Sequence, residues 1–347
     1  MPFRRRVVFM RNAIILTTLL SIVAVCAVAR AGPEEPLFPA EQGGKYGYIT
    51  HDGTVVIPFQ FDYAADFFDG LAKVEVDEKC GYINAAGEFV IQPQYRFIDS
   101  ENFSEGLAQV GKERRKSGYI DSTGKTVILG TFFQTGKFSE GMAHVAPTPG
   151  VWGFIDKTAK LVVPAVYDDV PCDFHEGVAC VGKAGKYGFV DKEGNIVIPL
   201  QYELAFDFSE GRAPAELNKK WGFIDRTARF VIPPQFDLAW SFEEGLAPAK
   251  LNNKWGYINN SGRWVILPQF DEVNGFGDGL AAVKVDEKWG YIRQNGTFAI
   301  RPKFQDAWYF SDGLAEVRTG ARWALIDREG TVIWKWDEDD DHYTEVN

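Results

Sequence analysis

The chain has 347 residues, 46% of them hydrophobic and 14% aromatic, with a formal charge of −11. Five arginines and no acid stand before Gly32, so residues 32–347 carry −16. That sign repels phosphate backbones and anionic lipid, which argues against a nucleic-acid partner or a membrane-surface role. Four cysteines in a chain of this length do not make a disulfide scaffold.

Arg4, Arg5, Arg6 and Arg11 form a basic start, and Ala13 to Val28 an apolar run. Ala29-Arg30-Ala31 then fits the small-x-small rule of a signal-peptidase site. Residues 1–31 therefore read as a cleaved signal peptide, with an uncleaved anchor as the rival, and the expected location is periplasmic or extracellular. Residues 32–44 read as a polar linker, 45–336 as one repeat domain, and 337–347 as a solvated acidic tail.

From Lys45 the chain repeats itself. Glycines at 47, 81, 118, 153, 188, 222, 256 and 290 are spaced 34 to 37 residues apart. In its fullest form each is a Trp-Gly pair: Trp152-Gly153, Trp221-Gly222, Trp255-Gly256 and Trp289-Gly290. Fourteen residues after every one of these glycines stands a Phe or Tyr. A second glycine series runs from Gly70 to Gly313, each member preceded by an acid and, three residues back, by Phe, and followed two residues on by Ala. A pattern copied this faithfully is one structural unit.

The unit reads as β. Leu246 to Leu251 is a first strand and Asn252-Asn253 a turn. Trp255 to Asn259 is a second strand, Asn260-Ser261-Gly262 another turn, and Arg263 to Ile266 a third strand that Pro268 is expected to stop. Gln269 to Gly279 then carries the chain to the next unit. No stretch of residues 32–347 shows a sustained helical period. The recurrent aromatics are expected to be stacked core, and the recurrent acid to be turn chemistry beside a glycine of positive φ.

The Lys-Trp-Gly-[Tyr/Phe]-Ile-[Asp/Asn] strand, the Val-Ile-x-Pro-x-[Tyr/Phe]-Asp element and Phe-x-Glu-Gly-Leu-Ala together resemble the WG β-repeat proteins of bacteria. The resemblance covers Lys45 to about Trp336 and implies a tandem β-repeat array, often exported, with no assigned catalytic residue. The expected fold is all-β: about eight three-stranded repeats in an open, curved, solenoid-like array, with a closed propeller-like ring as the alternative. The open form rests on two points. The chain enters at Lys45 without a partner for its missing first strand, and its acidic end is too charged to supply one.

Chemistry is thin. His51, His144, His175 and His342 show no metal spacing, and Cys172, His175 and Cys180, though close in sequence, match no finger. Cys80, in a position where other repeats have Trp, reads as a buried small hydrophobe. No cofactor, metal or catalytic residue is expected. The third unit departs most, with Ser117 in place of Trp and an inserted turn carrying Lys112, Arg114, Arg115 and Lys116, a candidate patch for an anionic partner. The functional expectation is an exported, non-enzymatic scaffold for another exported or envelope protein. The alternative is a carbohydrate or cell-wall binding module with aromatic surface rows.

Overall fold

In the computed structural model, residues 35–96, 100–113 and 116–336 are described. Among them there is no helix, and the strands form nine small antiparallel sheets taken strictly in chain order. We number these blades 1 to 9: residues 38–61, 63–96, 100–132, 134–167, 178–202, 204–236, 238–270, 272–304 and 306–335.

The three strands read from the sequence are present in every blade, and in seven blades the segment expected merely to connect units adds a fourth at the front. In blade 7 the order is Leu238–Ala239, Leu246–Leu251, Lys254–Asn259 and Trp264–Phe270. Blades 1 and 5 keep three strands. In most blades the first strand meets the Trp-Gly strand of the blade before it, while the fourth strand of one blade packs on the second strand of the next. The first strands therefore line the inner rim of a ring and the fourth strands its outside.

Proline does not stop the last strand. Trp264–Phe270 runs through Pro268 because the fourth strand is an outer edge and needs no N–H on that side. A register shift between the pairs Trp255↔Phe270 and Tyr257↔Ile266 takes up the extra residues there. Gly256 and its counterparts sit opposite this bulge. A Cβ on Gly222 would stand 2.5 Å from the Ile232 carbonyl oxygen and 2.7 Å from the Pro234 nitrogen, so the backbone of the fourth strand occupies the room that a side chain would need.

The core is divided into separate clusters, most of them spanning two adjacent blades. The Trp of the Trp-Gly pair is buried at 152, 221, 255 and 289, and so is Cys80 in its place. One contact recurs at every internal seam. The aromatic after the Trp-Gly pair meets the repeat Phe of the next blade, from Tyr48–Phe67 to Tyr291–Phe310, at 4.7 to 5.0 Å between ring centres. Each such pair contributes roughly 0.5–1.5 kcal/mol beyond its burial. Where the ring is Tyr, its hydroxyl also donates to a carbonyl of the next blade's inner segment, as Tyr257 does to Asn274 at 2.8 Å.

The expected open array is corrected: the two ends meet. Phe38–Gln42, assigned above to the linker, is a strand that pairs with Lys45–Ile49 and supplies the element blade 1 was thought to lack. It packs on blade 9. Trp334 stacks on Phe59 at 5.3 Å and donates its indole N–H to the Glu41 carbonyl at 2.9 Å, and Phe38, Ala40, Ile49, Trp323 and Trp336 share one buried cluster. Among the described residues no strand is exchanged at this seam, so closure does not require one from the charged tail.

Candidate binding site on the inner rim

The repeat's own polar residues are used up by the fold. The acid before each second glycine has positive φ, for example Glu210 at 52° and Glu244 at 51°, with the glycine following at 75° and 81°. This two-residue turn has the twist of a tight hairpin. The carboxylate accepts the N–H of the corresponding glycine one blade on: Asp69 from Gly106, Glu105 from Gly141, Glu140 from Gly177, Glu176 from Gly211, Glu210 from Gly245, Glu244 from Gly279, and Asp278 from Gly313, all at 2.7 to 3.2 Å. The acid thus links neighbouring blades as well as shaping its own turn. Cations of the following blade's turn join in, as Lys192 does to Glu140 at 2.9 Å and Arg226 to Glu176 at 3.1 Å. A second acid series serves hairpins. The Asp225 carboxylate accepts from the Thr227 hydroxyl and from the Thr227 and Arg229 backbone, which holds it below its ordinary 3.8.

Two neighbouring positions change character from repeat to repeat. Two residues before each repeat Phe, on the inner rim, stand Ala65, Glu101, Gly136, Cys172, Phe206, Trp240, Asn274 and Trp308. The next position holds Asp66, Asn102, Lys137, Asp173, Asp207, Ser241, Gly275 and Tyr309. The two rows divide the rim into a polar sector and an aromatic one.

The polar sector spans blades 4 to 6. His144 Nδ1 lies 3.3 Å from Asp173, Lys137 lies 3.6 Å from the same carboxylate, and His175 lies 3.7 Å from Asp207. Burial pushes Asp173 up, but His144, with Lys137 and His175, outweighs it and holds that acid low. At Asp207 burial wins and the carboxyl is raised. Gly136 has no side chain because the His144 ring fills that space. The Cys172 thiol is pushed up by the neighbouring Cys180 thiol and by burial, so it resists becoming the reactive thiolate. Cys172, His175 and Cys180 are close in the fold as in the sequence, yet among the described residues no group of three or more His, Cys, Asp or Glu is placed to hold a metal ion.

The aromatic sector spans blades 6 to 9. Phe206 stacks on Trp221 at 5.0 Å and on Trp240 at 5.4 Å, and Trp240 stacks on Trp255 at 6.3 Å. Trp240 and Trp308 nonetheless remain 43% exposed and Tyr309 60% exposed, in contrast to the buried Trp-Gly tryptophans. These three side chains line a cavity of 530 Å³ with Ser241, Glu243, Val273, Asn274 and Phe276. Asn274 is the short member between two tryptophans, and its amide donates to the Ala307 carbonyl at 3.3 Å. A Cβ on Gly275 would land on the Glu243 carboxylate. That carboxyl reaches water but is walled by protein, and this partial burial, with Glu244 and Glu210 nearby, pushes it up.

The site residues expected from sequence lie elsewhere. Lys112 and Lys116 are in the hairpin strands Leu107–Glu113 and Lys116–Asp121 of blade 3, where Lys116 is exposed; Arg114 and Arg115 lie outside the described residues. Trp152, Trp221, Trp255 and Trp289 are buried, and a Cβ on Gly153, Gly222, Gly256 or Gly290 would meet the backbone of the fourth strand. The inner rim went unread, although its signal was available: the two positions before a strictly repeated Phe are the ones that change character from copy to copy.

A closed ring of nine radially packed antiparallel sheets is a β-propeller, here one whose described residues show no strand exchange at its seam. The pattern that defines the WG containing repeat matches eight times, at residues 46–80, 81–113, 118–145, 152–187, 187–221, 221–255, 255–289 and 289–323, and the chain belongs to that family. No curated protein sequence matches it. Solved structures share the fold alone. One titled as the eukaryotic initiation factor is 10% identical, with a TM-score of 0.60, over 88% of this chain and 97% of that one. The dihydro-heme d1 dehydrogenase NirN, solved in complex with DHE, is 12% identical, with a TM-score of 0.50, over 92% and 83%. BamB from Moraxella catarrhalis is 13% identical, with a TM-score of 0.43, over 87% and 96%.

Proposed function

We propose that this chain is exported through a cleaved signal peptide and acts, without catalysis, as a scaffold that holds an exported or envelope protein on the inner rim of its ring. One observation carries the reading. Side chains common to the repeats are spent on cores, turns and seams, while two adjacent rows that vary between repeats lie along the inner rim (Cys172, Phe206, Trp240, Asn274, Trp308 and the row beside them). Repeat rings bind through such surfaces, because a variable position there can change without cost to the unit. A glycan is the second candidate occupant, favoured by the exposed Trp240, Trp308 and Tyr309.

The test is capture from an envelope fraction by the full chain, run beside a Trp240→Ala/Trp308→Ala variant. A partner held by the first and lost by the second, with unchanged circular dichroism, supports the inner rim. A partner held equally by both places the contact elsewhere. The basic hairpin of blade 3 is then the next surface to change, by charge reversal at Arg114 and Arg115.

A further inference from the structure

The aromatic cavity has a chemical preference. Its walls include Trp240, Trp308, Tyr309 and Phe276, contributed by blades 7, 8 and 9, and its one charged lining residue is Glu243. Among the described residues no Lys, Arg or His forms an ion pair with Glu243, and the charged groups that act on it are the acids Glu244 and Glu210. Those two acids are already engaged with the Gly279 and Gly245 N–H groups, so they supply negative potential and no counter-charge. Across residues 32–347 the net charge of −16 points the same way.

A carboxylate without a cation, beside exposed indoles, is complementary to an organic cation. The ring faces attract it electrostatically and the carboxylate neutralises it. We infer that the cavity between blades 7 and 9 binds an ammonium or guanidinium group, held by Trp308 and Tyr309 with Glu243 as counter-ion and Trp240 as part of the apolar wall. A neutral sugar could stack on the same rings and donate a hydroxyl to Glu243, but it would bring no positive charge to offset Glu243, Glu244 and Glu210. The cation can be a free small molecule or the side chain of a bound peptide. The inference rests on the inner-rim reading above and names what the rim recognises.

The test is calorimetric titration of the full chain with three probes at low salt: tetramethylammonium chloride, the tripeptide Gly-Arg-Gly, and chitotriose as the neutral sugar. Saturable binding of either cation, weakened about tenfold or more in Glu243→Gln and in Trp308→Ala, is the expected result. Both side chains are exposed, so folding of the variants is checked simply by their circular dichroism. Binding by tetramethylammonium alone would indicate a small-molecule ligand, and by Gly-Arg-Gly alone a peptide; both support a cation site. Chitotriose binding undiminished by Glu243→Gln, cation binding indifferent to both substitutions, or no saturable binding by any probe would overturn it. The capture experiment reads separately: a partner lost in the Trp240→Ala/Trp308→Ala variant with no cation binding would leave the scaffold standing and remove only the cation site.

Discussion

Trp334→Ala attacks the one seam that the repeat pattern does not build. The indole is half-buried against blade 1, stacks on Phe59 at 5.3 Å and donates to the Glu41 carbonyl at 2.9 Å. Half of a tryptophan's roughly 250 Å² of buried surface, at about 25 cal/mol per Å², gives about 3 kcal/mol as an upper bound. The stack adds roughly 0.5–1.5 kcal/mol and the hydrogen bond about 1 kcal/mol. After discounting burial for a compact unfolded chain, about 4 kcal/mol remains. At about 2 °C per kcal/mol for a chain of this size, the melting temperature should fall by about 8 °C. Leu267→Ala on the outer strand of blade 7 is the control, since that side chain is 68% exposed, and it should cost less than about 1 kcal/mol. Differential scanning calorimetry gives both numbers, and hydrogen exchange should show blades 1 and 9 opening before the rest. If Trp334→Ala shifts the melting temperature no more than Leu267→Ala does, the ring is not held at this seam.

Gly222→Ala would drive a methyl to 2.5 Å from the Ile232 carbonyl, against backbone that cannot step aside, and should cost about 3 kcal/mol or more in a urea titration. Glu210→Ala removes the acceptor for the Gly245 N–H and should destabilise by about 1 kcal/mol, with Glu210→Gln restoring part of the loss. Asp237 is held below 3.8 chiefly by Lys220 and the Asn252 N–H, so its contribution is present above that value and fades as pH falls through the lowered one. Acid titration of Asp237→Asn should accordingly show a smaller loss of stability below pH 4 than the parent chain. Cys80 and Cys180 are buried and the Cys172 thiol is pushed up, so a maleimide at pH 7 should leave all three unmodified until the chain unfolds.

Much of this architecture was legible because it is local and copied. The alternation around Trp255-Gly256-Tyr257, the Asn252-Asn253 and Asn260-Ser261-Gly262 turns, and the aromatic fourteen residues on are each decided within one unit, and repetition separates them from chance. The role of the acid at Glu210 or Glu244 was half legible. Its turn was evident, but its partner glycine lies 35 residues away. Pro268 misled because an edge strand tolerates proline and an inner one does not, and nothing in the sequence says which strand is outermost.

Sequence alone thus determined the unit, its period and its core, since these rest on short-range strand patterning and on turns of two or three residues. Tertiary structure alone decided closure and the binding face. Closure depends on the rotation accumulated over nine blades and on Trp334 meeting Glu41, 293 residues apart in the chain. The face depends on the same geometry. Trp240, Asn274 and Trp308 are unremarkable differences between repeats until the ring sets equivalent positions side by side, where two exposed indoles and an unpaired carboxylate share one cavity.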